Sequence, residues 1–186
     1  KNYGRVWKLD VSDDKNDFKD IRIETKRLMQ LDYSKQSEEE LYKLLFYADM
    51  RIRQKSQLEL AKREKRGWEI FKRAVEQQDN QLARVHGIWG IGQLARKDLT
   101  LATPLLDLFK DNDPEIVAQA AKIAGDVNYK EAGSYLVPLL SHKYPRAVFF
   151  AAQALGRIGF QDAVAPILSM LERNNDQDVY LRHAGV

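Results

Sequence analysis

The chain has 186 residues, 44% hydrophobic and 31% charged, and its 30 lysines and arginines against 27 aspartates and glutamates leave a formal net charge of +3. That is enough apolar side chain for one folded domain of ordinary size and too little length for two large ones. The absence of cysteine excludes disulfides, thiolate metal sites and a C-x-x-C-H haem attachment within these residues; no apolar run of about 18 residues could span a membrane, and residues 1–10 lack the apolar core of a secretory signal.

At the start of the chain Tyr3, Arg5, Trp7, Leu9 and Val11 alternate with Gly4, Val6, Lys8 and Asp10, a period of two that predicts a β-strand over residues 1–11. A lone strand needs a partner, so the expectation is the remnant of an upstream β domain. Residues 12–36 then read as a linker, polar over 12–20, with a short helix at about 23–31.

Helical spacing takes over for residues 37–186. Ser37-Glu38-Glu39-Glu40 has the form of a capping box, with Leu41, Leu44 and Leu45 as the apolar stripe behind it. A second helix is predicted over 50–63. The basic stretch Lys62, Arg63, Lys65 and Arg66 at its end reads as a solvated helix C-terminus, favoured by the helix dipole, in preference to a nucleic-acid patch.

That helix opens a series. Ile52, Ser56, Glu59 and Leu60 stand at offsets 0, +4, +7 and +8, and the same offsets recur at Ala83, Gly87, Gly90 and Ile91, at Ile116, Ala120, Ile123 and Ala124, at Ala147, Ala151, Ala154 and Leu155, and in part at Leu181 and Gly185. Gly92, Gly125 and Gly156 fill position +9. Small residues at these places let each helix come close to its neighbours. Preceding helices are predicted over about 68–76, 101–109, 132–140 and 163–171; Pro104, Pro138 and Pro166 lie within them and are expected to bend them into the curvature of the stack. The turns 111–114 and 141–145 end in residues suited to cap the next helix. The predicted fold is all-α, a right-handed α-α superhelix with a short β-strand remnant in front.

The segments Asp113-Pro114-Glu115-Ile116-Val117-Ala118-Gln119-Ala120-Ala121-Lys122-Ile123-Ala124-Gly125 and Pro145-Arg146-Ala147-Val148-Phe149-Phe150-Ala151-Ala152-Gln153-Ala154-Leu155-Gly156 resemble the second helix of HEAT repeats of the short, phycobilisome-lyase-like type. The resemblance covers residues 37–186 and implies a HEAT/armadillo-like solenoid; it says little about function, since such repeats serve many unrelated roles. A narrower likeness rests on Gly4-Arg5-Val6-Trp7-Lys8-Leu9, Glu24-Thr25-Lys26-Arg27-Leu28, Arg51-Ile52-Arg53-Gln54, 80–90 and 180–184. These are similar to large secreted bacterial proteins of haem-binding or membrane-bound dehydrogenase type, in which a β-propeller precedes HEAT repeats and a cytochrome c domain follows. That likeness implies a periplasmic or secreted setting, with haem c and a quinone in the full-length protein and neither cofactor in this segment.

Chemical motifs are scarce. His86, His142 and His183 are followed by Gly87, Lys143 and Ala184, so the His-Glu pairs by which HEAT scaffolds hold iron are not formed, and no metal ligand is assigned. The glycines Gly87, Gly90 and Gly92 follow no strand and read as packing residues. Asp13, Asp14, Asp111 and Asp113 lie in linker and turn, where solvation and capping are the expected roles. No catalytic or cofactor-binding residue is expected.

In the resembling family an acid or asparagine with an arginine forms a ladder between repeats, which implies that role for Asp49 with Arg53, Asn80 with Arg84, and Asp178 with Arg182. Positions +2 and +6 are displaced from the apolar seam and are expected to line a groove, with Trp89, Phe149, Val85, Lys122 and Gln153 as partner-contact candidates. The leading expectation is a non-catalytic scaffold that binds a protein or neighbouring domains of its own chain. The alternative is a spacer in a haem dehydrogenase. A third reading, a HEAT-like DNA glycosylase using Trp89 and Arg84, meets a groove without the dense positive charge that nucleic acid requires.

Overall fold

The computed structural model of the chain describes residues 18–186, so the expected strand over 1–11 and the linker up to residue 17 lie outside the described residues. The chain divides into two units, Lys1–Asp32 and Tyr33–Val186. In the first, helix α1 runs Lys19–Met29 and starts at Lys19 rather than at Ile23. Charge explains the earlier start: Asp20 sits in the first turn, Lys26 and Arg27 in the last, and Arg27 grips Glu24 through two hydrogen bonds of 2.8 and 2.7 Å.

The second unit opens with a 3₁₀ turn, Tyr33–Lys35, and continues as α2 Glu38–Leu44, α3 Met50–Lys62, α4 Lys65–Glu76, α5 Gln81–Ala95, α6 Leu105–Leu108, α7 Pro114–Asp126, α8 Gly133–Leu136, α9 Pro145–Ile158, α10 Val164–Asn174 and α11 Val179–Gly185. The capping box forms as the sequence predicts: the Glu40 amide donates to Ser37 Oγ at 3.2 Å and the Ser37 amide to Glu40 Oε2 at 2.7 Å.

The odd-numbered helices from α3 onward are the second helices of successive hairpins. Each packs on the next, α3 on α5, α5 on α7, α7 on α9 and α9 on α11, and each also packs on the first element of its own hairpin. The repeat anchors Ile52, Ala83, Ile116 and Ala147 are fully buried between the layers. This is an α-solenoid, in which every repeat closes the apolar faces of its neighbours.

The first elements are less regular than predicted. Of the four first helices predicted between residues 68 and 171, α4 and α10 are continuous. In place of one helix over 101–109 there is a 3₁₀ turn, Leu99–Ala102, and then the single turn α6; in place of 132–140 there are Lys130–Ala132, α8 and Val137–Ser141, the outer two 3₁₀. Pro104 and Pro138 fall beyond the first turn of the predicted helices, where the missing amide would have had an intrahelical partner, so they split these elements instead of bending them. Pro166 is the third residue of α10, where no intrahelical amide is needed, and α10 stays whole.

The basic stretch also differs from expectation. The α3–α4 connection is only Arg63 and Glu64, and Arg63, far from being solvated, donates to the carbonyl oxygens of Tyr33, Ser34 and Gln36 at 3.3, 3.4 and 2.6 Å. Its charge is met by Glu38 at 3.2 Å and Glu59 at 3.5 Å.

Candidate functional site

The second helices turn one face away from the first-element layer, and the period of 3.6 residues decides which side chains occupy it. Rows at −1, +3, +6 and +10 from each anchor share that face, being spaced four, three and four residues apart. Row +6 reaches the surface: Leu58 is exposed, and Trp89, Lys122 and Gln153 are half-buried.

Row +2 does not. Val85 is 8% exposed and Ala118 is fully buried, so Val85 offers no contact surface. Position +2 lies one heptad before the +9 glycine, and a Cβ on Gly92 would meet Ile123 of α7 at 2.6 Å, while one on Gly125 would meet the Ala154 backbone of α9 at 2.7 Å. This side of α5 and α7 therefore faces the following second helix, whereas the +2 residue of α3, Gln54, is exposed. Phe149 and Gly156 are the same positions on α9, yet Phe149 is half-buried and Gly156 has nothing within 4 Å.

Polar side chains stitch the earlier boundaries together. Between α3 and α5, the buried His86 Nδ1 lies 2.6 Å from Gln57 Oε1, and Gln57 Nε2 donates to Gln93 Oε1 at 3.0 Å. Burial, helped by the charge of Arg53, lowers the His86 pKa to about 4, so the ring is neutral at pH 7 and Nδ1–H donates to the amide oxygen. Between α5 and α7, Trp89 Nε1 donates to Gln119 Oε1 at 2.9 Å, and Gln119 Nε2 to Glu115 Oε1 at 2.7 Å. Between α7 and α9, the Tyr144 hydroxyl donates to Glu115 Oε2 at 3.0 Å, which holds the phenol above its usual pKa, and Arg157 pairs with Asp126, which also receives Lys122.

The boundary between α9 and α11 is built differently. Among the described residues no side-chain hydrogen bond joins these two helices; instead Phe149, Phe150, Tyr180 and Leu181, with Pro145, line a cleft of about 480 Å³ bordered by Arg146 and Asp178. Sequence reasoning found Phe149 and missed Phe150, Arg146 and Tyr180. The signal was available, because Arg146 and Tyr180 are the −1 residues and Phe150 the +3 residue of the same rows.

The ladder residues divide into two jobs. Asp49, Asn80 and Asp178, together with Asp113, cap their helices by accepting from the amides of Arg51 at 2.8 Å, Ala83 at 2.9 Å, Tyr180 at 2.8 Å and Glu115 at 2.9 Å. Asp49 is gripped by Arg51, not by Arg53, and that grip with the amide bond lowers its pKa to about 2. Arg53 donates to the carbonyl oxygens of Tyr47 and Ala48 at 2.7 and 2.6 Å. Arg84 alone bridges repeats, donating to Val75 O at 3.0 Å and pairing through both terminal nitrogens with Asp111. Burial would raise the Asp111 pKa, but Arg84 and the Asp113 amide outweigh it and hold it below the usual value. Arg182, by contrast, is half-exposed and 3.7 Å from Asp176 in its own loop. With Arg84 buried and Trp89 committed to Gln119, neither is placed to meet DNA.

Residues 102–184 match the family model of HEAT repeats. The hairpins over these residues are similar to HEAT repeats. Among solved structures, the complex of CpcE and CpcF of phycocyanin lyase from Nostoc sp. PCC7120 matches with a TM-score of 0.62 at 19% identity, over 81% of this chain and 63% of that one, so the chain spans less than two thirds of the chain it matches. Two engineered proteins match with TM-scores of 0.54 and 0.52 at 16% identity, over 92% of this chain and 90% and 91% of theirs. No curated protein sequence matches. At such identities the likeness is one of fold, and these HEAT neighbours lend nothing to the haem-protein resemblance. Among the described residues no helix is long and apolar enough to cross a membrane, and no group of three or more His, Asp or Glu is placed to hold a metal ion.

Proposed function

We propose that this HEAT solenoid is a non-catalytic scaffold whose open second-helix face holds a segment of another protein or a neighbouring domain. One observation carries the reading: the rows along α3, α5, α7 and α9 form a wall cross-linked by side-chain hydrogen bonds, and between α9 and α11 an aromatic cleft takes the place of a link. A rigid wall lowers the entropic cost of association, and aromatic side chains at a cleft are the usual anchors of protein interfaces.

Two strongly displaced titratable groups support a structural role: His86 is inside the α3–α5 link, and Asp49 is a helix cap bound to Arg51. The basic residues Lys122 and Arg157 of this face converge on Asp126, which offsets their charge.

Photo-crosslinking in the native source tests this. A benzoylphenylalanine introduced at Leu58 or Gln153, on the open face, should trap one and the same polypeptide, whereas the probe at Tyr135 or Leu168, exposed on the first-element layer, should not. Trapping confined to Tyr135 and Leu168 would overturn the assignment.

A further inference from the structure

Resting on the scaffold reading, the geometry points to the kind of segment that the α9–α11 cleft takes: one aromatic or branched aliphatic side chain, with a carboxylate one to three residues away. The walls supply the first half. Phe149 and Phe150 meet edge to face with centroids 5.2 Å apart, and Tyr180 stands on the opposite side with 72% of its surface exposed. About 480 Å³ accommodates an indole-sized group and its flanks. Because Tyr180 is so open, the cleft does not enclose a free small molecule as ligand pockets do; it suits a side chain projecting from a strand of chain that runs along the face.

Charge supplies the second half. The two charged groups on the cleft are Arg146 and Asp178, and the Asp178 carboxylate is held at the N-terminus of α11, where its Oδ1 accepts from the amides of Tyr180 at 2.8 Å and Leu181 at 3.3 Å. Arg146 is half-exposed, and its approach to Glu115, at 3.5 Å, is the longest of three, behind Gln119 at 2.7 Å and Tyr144 at 3.0 Å. A guanidinium has five donors, so Arg146 keeps several for a second carboxylate, and its position 5.6 Å from the Phe150 ring sets that carboxylate beside the apolar anchor.

Three blocked peptides titrated into the ¹⁵N-labelled chain test the inference: Gly-Glu-Trp-Glu-Gly, Gly-Lys-Trp-Lys-Gly and Gly-Glu-Ala-Glu-Gly. The first should shift the amide signals of residues 145–150 and 178–181 and bind at least about fivefold tighter than the second at low salt, with the gap closing as salt rises. The alanine peptide should bind about tenfold more weakly. Tyr180→Ala, at an exposed site, should weaken the tryptophan peptide without changing the melting curve, and Arg146→Glu should reverse the order of the acidic and basic peptides. A lysine peptide that seats in the cleft as tightly as the acidic one, an unchanged order in Arg146→Glu, or no shift at the cleft with any peptide would overturn the inference and leave the scaffold reading standing. Crosslinks confined to Tyr135 and Leu168 would remove the scaffold reading itself.

Discussion

The boundary between α5 and α7 and the boundary between α9 and α11 are the same joint of the same repeat, closed in two ways. At the first, Val85 and Gly92 lie against α7 and the rim is fastened by Trp89 to Gln119. At the second, Phe149 and Gly156 hold the equivalent positions, Gln153 stands in the slot of Trp89, Ala184 in that of Gln119 and Tyr180 in that of Glu115, and a cleft remains. A solenoid repeat thus keeps its backbone register while its rim residues decide whether the joint becomes wall or site.

The largest effect that sharpens the contrast belongs to Arg84. Replacing it with alanine removes the buried bridge to Asp111 and the donor to Val75 O, and leaves a carboxylate that is largely shielded from water. The expected loss is about 3–5 kcal/mol in chemical denaturation. Arg182→Ala, at the corresponding slot beyond the cleft, should stay within about 0.5 kcal/mol, because its pairing is exposed and long. Equal losses would show that the buried Arg84 bridge contributes no more than an exposed pair.

Gly125→Ala comes next. Its new methyl would lie 2.7 Å from the Ala154 Cα, a backbone atom that cannot step aside, so α7 and α9 must separate. A loss of about 2–3 kcal/mol follows, read as a drop in the denaturation midpoint at constant slope. An unchanged midpoint would mean that the joint is looser than its geometry.

Which of these features the sequence reveals depends on how far apart the interacting residues are. The capping box at Ser37 was legible, since it acts on an amide three residues away, whereas Asp49, Asn80 and Asp178, expected only as ladder residues, turn out to cap their helices. The repeat was legible because small residues return at fixed offsets. The rim was legible only in part: telling +2 from +3 requires knowing on which side the next helix lies, and that is settled by packing, so Val85 was placed on the face and Phe150 left off it. Arg84 and Asp111 are 27 residues apart, and the acid looked like one more turn residue until the fold brought the two together. Pro104 and Pro138 were seen, but how a split first element still packs on its partner is a tertiary matter.

Smaller again is a pH effect confined to the linked end. Native His86 stays neutral down to about pH 4, while the unfolded chain protonates it near its ordinary value of 6.5. Between those limits the unfolded state holds the extra proton, so stability falls as pH drops from about 6.5 to about 4 and levels off below, by about 2–3 kcal/mol in all. Carboxylates also titrate near the lower limit, so the decisive quantity is the difference from His86→Gln, whose profile should be flatter across the window. Parallel profiles would show that His86 is not buried in its link with Gln57.

The smallest effect is also the one with opposite sign. Gly156 is helical, has a negative φ and faces open space, so alanine there adds no clash and removes the entropic penalty that glycine carries inside a helix. Gly156→Ala should raise stability by about 0.5–1 kcal/mol, measured side by side with the loss in Gly125→Ala. The comparison separates a glycine held by its neighbour from one with no neighbour among residues 18–186: at Gly125 helix α9 lies against the glycine, and Gly156 meets nothing within 4 Å. A loss in Gly156→Ala would place α11 against α9 more tightly than the cleft allows, and the aromatic site with it would close.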